Sequence, residues 1–153
     1  MSDLRIEPAT LDDLAELTDL LMGLFAQEED FTPNREKQLR GLRLILEQPS
    51  RGRIFVLRSP AKIIGMINLL FTISTAEGGF VLLLEDFVVR EEHRRQGYGS
   101  RLLKHAIEFA RQKKFLRITL LTDQPGESRR FYLKHGFVQS GMIPMRYMFS
   151  NES

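Results

Sequence analysis

Val88-Val89-Arg90-Glu91-Glu92-His93-Arg94-Arg95-Gln96-Gly97-Tyr98-Gly99-Ser100 is the stretch on which the fold turns: the end of an apolar strand, a charged loop, and two glycines where an amphipathic helix begins. Residues without a side chain let the backbone approach a ligand closely. The first turn of a helix also presents N–H groups with no acceptor inside the helix, and the positive end of the helix dipole. Such a turn is a phosphate site. Arg94 and Arg95 beside it add charge-assisted contacts that suit a pyrophosphate. The stretch lacks the earlier glycine of the dinucleotide fingerprint and the Gly-Lys pair of the nucleotide P-loop, so neither of those ligands is favoured. An Arg or Gln three residues before Gly-x-Gly arises by chance in a chain of this composition about one time in ten, so the strand before it and the helix after it carry the specificity.

Outward from this loop, residues 98–112 read as a helix on Leu102, Leu103, Ala106, Ile107 and Ala110, and 116–121 as a buried strand, which makes one strand–helix–strand crossover. Residues 127–134 read as a short helix ended by Gly136, and 137–140 and 145–149 as final strands. Upstream, 53–58, 63–73 and 80–89 are rich in Ile, Val, Leu and Phe and are separated by Ser59-Pro60 and Glu77-Gly78-Gly79, the pattern of an antiparallel meander. Residues 4–7 alternate as a short strand. Thr10, with Asp13 three residues on, caps a helix whose apolar face is Leu14, Leu17, Leu21, Leu24 and Phe25. A second helix covers 34–48 and is closed by Pro49-Ser50-Arg51-Gly52. The expected architecture is mixed α/β, about seven mostly antiparallel strands with four helices. It forms a single domain over 1–150, with 151–153 frayed.

The chain of 153 residues has no cysteine, is 42% hydrophobic and 27% charged, and carries a net charge of +2. Disulfides, thiolate metal sites and a catalytic thiol are therefore excluded. No run approaches ~18 consecutive apolar residues, and 1–10 lacks the basic start and apolar stretch of a secretion signal, so a cytoplasmic protein without a membrane partner is expected. The charge is uneven. Residues 1–50 hold 5 basic and 11 acidic side chains (−6), whereas 90–135 hold 12 basic and 5 acidic ones (+7). A basic block points to an anionic partner. With no repeat, no zinc spacing and no glycine-aromatic signature, a small phosphorylated ligand accounts for it at least as well as nucleic acid, which would show steep salt dependence.

The glycine loop after a fourth strand, together with Arg130-Phe131-Tyr132-Leu133-Lys134-His135-Gly136-Phe137 some thirty residues later and the Ile6-Glu7-Pro8-Ala9-Thr10-Leu11-Asp12-Asp13 opening, resembles the GCN5-related N-acetyltransferase superfamily across nearly the whole chain. The resemblance implies a fold with splayed central strands, acetyl-coenzyme A as donor co-substrate, an amine as acceptor, and no metal. It places the pyrophosphate on main-chain amides of Arg94, Arg95, Gln96, Gly97, Tyr98, Gly99 and Ser100. It also implies that Phe87, Val88 and Val89 face the pantetheine arm as a pseudo-strand partner. The family often has Asn six residues before the Phe of the Phe-Tyr pair and Ala three before it; here these are Pro125 and Ser128. Pro125-Gly126 then shapes the turn, and Ser128, with Phe131, keeps the cofactor contact from this helix.

Forming an amide from a thioester requires a neutral amine, whereas an alkyl amine with a pKa near ~10.4 is protonated at pH 7. A base must take that proton. Glu85 and Asp86 stand late in an apolar strand, and strict alternation sends them to opposite faces. The resemblance favours Glu85 as base, directly or through water, with Asp86 as the other candidate and otherwise a substrate contact. It assigns Tyr132 as the acid for the departing thiol. His93, His105 and His135 show no triad spacing and are expected at the surface or in loops. The first two helices and their loop form an acceptor wall in this family, and Glu28, Glu29 and Asp30 fall there, which suits a cationic small molecule or peptide such as a polyamine. The run of residues 83–89, Leu-Leu-Glu-Asp-Phe-Val-Val, is also similar to diamine acetyltransferases. A non-catalytic module that senses acyl-coenzyme A is the alternative. The apolar 142–149 tail suits pairing with a second chain, as a homodimer, as well as with its own sheet.

Overall fold

In the computed structural model, the described residues are 3–26, 33–123 and 126–149. They fall into two compact units, Met1–Leu121 and Thr122–Ser153.

The first unit is built on one five-stranded sheet in the order β1-β2-β3-β4-β5. Its strands are β1 (Arg5–Pro8), β2 (Gly52–Arg58), β3 (Ile63–Ser74), β4 (Gly79–Val89) and β5 (Ile118–Leu120). The first four pair antiparallel, and β5 pairs parallel to β4 after the crossover helix. Helices α1 (Leu14–Phe25) and α2 (Arg35–Leu46) precede β2, and α3 (Tyr98–Gln112) lies between β4 and β5. The period of two in β2 sorts its residues between two cores. Ile54 and Val56 join Met66, Val88, Leu14, Leu17, Leu21 and Leu42 under α1 and α2. Phe55 turns to the other face, where its ring meets Phe109 of α3 at 5.1 Å and His105 at 4.6 Å. His105 is therefore half-buried and packed against Phe55, and this burial lowers its pKa from the ordinary value.

The local signals that predict the helices are present. Asn34 caps α2 by accepting from the Lys37 N–H at 3.2 Å, while Gln38 Oε1 returns a contact to the Asn34 N–H at 2.9 Å. The Thr10 N–H donates to Asp13 Oδ2 at 2.9 Å, and a short 3-10 turn, Leu11–Asp13, leads into α1.

Two expected strands do not form. Among the described residues the sheet has five strands, and 137–140 and 145–149 pair with none of them. Apolar content marked these segments, but a strand also needs an edge that supplies its backbone hydrogen bonds. Val138, Met145, Tyr147 and Phe149 stay exposed, as does Met142. The second unit holds α4 (Glu127–Lys134), as expected.

Arg58, at the end of β2, ties the first turn of the chain to the sheet. It donates to Asp13 Oδ1 at 3.1 Å and Oδ2 at 2.8 Å, and its Nε lies 2.6 Å from Glu7 Oε2. Burial alone would raise the Asp13 pKa, but Arg58 and the Thr10 N–H outweigh it and hold the carboxyl below its ordinary 3.8. A carboxyl with a depressed folded pKa adds stability that is complete above its unfolded value and lost as pH falls below it. Asp13→Asn should therefore cost about 1–3 kcal/mol at neutral pH. In urea titrations the wild-type advantage should vanish as pH drops beneath 3.8.

Candidate active site

β4 carries both candidate carboxyls, Glu85 and Asp86, and its regularity is broken midway between its ends. Its register against β3 runs Leu69↔Leu84 and then Asn68↔Asp86, which leaves Glu85 as an extra residue, a β-bulge. The bulge overturns strict alternation at the acidic pair. Asp86 comes into register with Asn68, and the Asn68 amide Nδ2 donates to Asp86 Oδ2 at 2.8 Å. Glu85 is exposed and Asp86 half-buried. Burial, reinforced by the Glu85 charge and opposed by the Asn68 hydrogen bond, raises the Asp86 pKa above its ordinary value. Sequence reasoning missed Asn68. The signal was present, since it is the sole amide side chain in an apolar run, Ile67 before it and Leu69 after it, and it is 1% exposed.

The bulge coincides with the end of β5. The parallel pairing is Leu82↔Ile118, Leu83↔Thr119 and Leu84↔Leu120, so residues 85–89 continue beyond the last residue of β5, the splay that the resemblance implied. The Arg90 N–H donates to Ile64 O at 2.8 Å on the β3 side. Alternation then turns the Val89 N–H and C=O to the opposite edge, past the end of β5. Val88 is buried on the α1 face, and Phe87 and Val89 are half-buried.

Glu91–His93 forms a short 3-10 turn, and the glycine loop follows it. Arg95 and Gly97 both have left-handed backbone, φ 63° and 83°. Positive-φ residues between extended or helical ones turn successive N–H groups inward, a concavity that binds anions. Nothing lies within 4 Å of a Cβ placed on Gly97, so its glycine answers to backbone angle, not to crowding. Tyr98, Gly99 and Ser100 make the first turn of α3, whose dipole points its positive end at the loop. Arg94, Arg95 and Gln96 are exposed. Arg94 Nε donates back to Val89 O at 3.0 Å. The loop is anchored from behind by Arg90, whose guanidinium donates to Ile63 O at 2.5 Å and Glu16 Oε2 at 3.1 Å.

In the second unit, Ser128, Phe131 and Tyr132 fall at i, i+3 and i+4 on α4 and so share a face. Gly136, φ 93°, ends this helix: its N–H donates to Leu133 O at 3.2 Å, and the Phe137 N–H to Tyr132 O at 3.1 Å. This pair of bonds is the Schellman motif, and the Tyr132–Phe137 ring contact at 5.5 Å is its apolar clasp. The Gly-Phe pair therefore orients Tyr132. Burial pushes the Tyr132 phenol up to about 12, so it keeps its proton throughout the physiological range. His135 Nδ1 lies 2.8 Å from Phe131 O.

Glu28, Glu29 and Asp30 lie outside the described residues. Among the described residues, no three acidic or histidine side chains cluster as a metal site, and no helix is long and apolar enough to cross a membrane.

A family model, the acetyltransferase (GNAT) family, matches residues 14–137. The chain belongs to that family. Streptothricin acetyltransferase A of Bacillus subtilis (strain 168) is 36% identical over 66 residues, 42% of this chain; the match spans only 38% of that protein's length. A possible acetyltransferase from Clostridium difficile 630 superposes with a TM-score of 0.87 at 17% identity, covering 97% of this chain and 99% of that one. An aminoglycoside acetyltransferase from an uncultured soil metagenomic sample superposes at 0.77 with 20% identity, covering 96% and 97%. The two structures share the GNAT fold with this chain. Mixed α/β architecture around a sheet that is mostly antiparallel is thereby the fold of this protein.

Replacing Gly136 by Ala strains the left-handed residue and should free the last turn of α4. Amide hydrogens there are expected to exchange roughly five-fold faster, about 1 kcal/mol of local opening.

Proposed function

We propose that residues 1–150 act as one N-acetyltransferase domain, moving an acetyl group from acetyl-coenzyme A directly to a primary amine of a cationic small molecule or peptide. The observation that carries this is the conjunction, on one continuous stretch, of a β4 edge that outruns β5 with a left-handed, dipole-backed amide loop. The residues fit the cofactor. Arg94, Arg95, Gln96, Gly97, Tyr98, Gly99 and Ser100 would hold the pyrophosphate, and Phe87, Val88 and Val89 would meet the pantetheine arm. Ser128 and Phe131 are assigned contacts from α4. Acetyl-coenzyme A, when bound, supplies the acetyl group as a thioester open to direct attack by an amine.

Glu85, exposed at the bulge, takes the amine proton, directly or through a water. Asp86, beside it, receives the acceptor while it is still an ammonium ion. Tyr132 donates to the leaving sulfur. With its phenol at about 12 and a thiol near ~8.5, full proton transfer runs uphill, so its contribution is a hydrogen bond to developing negative charge. Glu28, Glu29 and Asp30 are assigned to the acceptor wall, and their charge favours polyamine-like or aminoglycoside-like amines over neutral ones. The names of the streptothricin and aminoglycoside relatives support amine acceptors of this chemistry.

Calorimetric titration of acetyl-coenzyme A tests the donor site. Wild type should bind in the micromolar range, and folded Gly97→Glu should not, because its carboxylate opposes the pyrophosphate where the backbone must approach it. No binding by wild type ends the acetyltransferase reading and returns the basic block to nucleic acid.

Tyr132→Phe separates enzyme from sensor. Its kcat, followed by thiol release, should fall roughly 10²-fold while acetyl-coenzyme A affinity holds. Unchanged kcat would remove Tyr132 from this role.

A further inference from the structure

The buried Asn68 is poorly explained by stability. It is 1% exposed, and its Oδ1 takes no hydrogen bond among the described residues. An orphaned buried acceptor is costly, and a leucine of similar volume would sit in this strand without that cost. The amide donates from Nδ2 to Asp86 Oδ2 at 2.8 Å, and it does so because the bulge at Glu85 brings Asp86 opposite it. An N–H donor in that place favours the ionised carboxyl, because the charged oxygen accepts the hydrogen bond more strongly than the neutral one.

We propose that Asn68 is a positioning residue of the acceptor site, fixing the Asp86 side chain at the bulge and holding it as the carboxylate that receives the acceptor's ammonium group. The inference rests on the acetyltransferase reading above for its acceptor, and on geometry alone for the Asn68–Asp86 coupling. Among the described residues, the charged groups around Asp86 leave Asn68 as its hydrogen-bond donor. Glu85 on the same strand acts on it as a like charge. β3 contributes no ionisable side chain. On α1, which packs over β3 and β4, Glu16 is committed to the Ile63 N–H and Arg90, and Asp19 to Arg35. α3, the other helix that packs on both strands, covers the opposite face. Burial and Glu85 both oppose ionisation, and the Asn68 amide works against them.

The test combines a titration with a rate profile on the full chain. Asp86 is followed by carboxyl-carbon NMR in wild type, Asn68→Leu and the near-isosteric Asn68→Asp. The second variant removes the donor and adds a like charge if the first fails to fold. The Asp86 midpoint should move upward in either variant. With spermidine and sisomicin as probe amines, the acid limb of kcat/KM should move upward with it, and kcat/KM at neutral pH should fall roughly ten-fold, the worth of a hydrogen bond to a charged group. Affinity for acetyl-coenzyme A should be unchanged. An Asp86 midpoint that does not move overturns the proposal, whichever amine is the substrate. A midpoint that moves while the rate profile stays still overturns the positioning role and leaves the acetyltransferase intact. Failure of the broader reading is seen separately, in wild type alone, as absence of acetyl-coenzyme A binding.

Discussion

β4 outlasts its neighbour. Its pairing with β5 stops at Leu84↔Leu120, one residue before the bulge at Glu85, and the strand runs on to Val89 with β3 alone beside it. A parallel sheet continued to the end would have satisfied every backbone group of β4 and left no place for a ligand arm. The early end of β5 leaves open the edge of β4 that is assigned to the pantetheine arm, and the bulge at the same level re-aims the two carboxyls. The arrangement stands because the rest of β4 is over-determined: ten residue pairs lock it to β3, and Val88 is sealed in the core under α1 and α2.

What the sequence revealed and concealed follows from what each pattern encodes. The 3.6-residue rhythm of Leu14, Leu17 and Leu21, or of Leu102, Leu103 and Ala106, reports a buried face, and these helices lie where that rhythm places them. The meander was legible because turn residues bracket runs too apolar for a surface. The bulge was not. An extra residue in β4 leaves the local composition unaltered, and only the partner's register exposes it, so the expected opposition of Glu85 and Asp86 failed at that one place. The 137–140 and 145–149 segments failed for a related reason: hydrophobicity describes a strand's side chains, whereas pairing depends on another segment's backbone. His105 was misjudged because a polar residue on a helix reads as exposed until its neighbour Phe55 is known.

The candidate site was more legible in its cofactor half than in its acceptor half. Phosphate binding is done by backbone amides, and glycine positions in a strand–loop–helix context announce such backbone directly. Arg95 is an exception, since a left-handed arginine cannot be read from its identity. The acceptor half depends on which carboxyl is buried and what it touches, facts of tertiary packing. Asn68 stands eighteen residues before Asp86 and on another strand. Nothing in the local pattern links them.

The side chain of Arg94 links the two segments proposed to hold the donor. By donating to Val89 O, it engages the backbone edge assigned to the pantetheine arm, while its charge belongs to the loop assigned to the pyrophosphate. Arg90 does the corresponding work behind the loop, binding Ile63 O on β3 and Glu16 on α1. Between them, two arginines fix the angle at which β4 leaves the sheet and the chain enters α3. A lysine at position 90 would keep the charge but lose the planar fork that reaches the Ile63 carbonyl and the Glu16 carboxylate together. The basic character of 90–135 is thus partly spent on shaping the loop itself, and the cations that remain exposed, Arg95 among them, are those disposed to meet an anion from solvent.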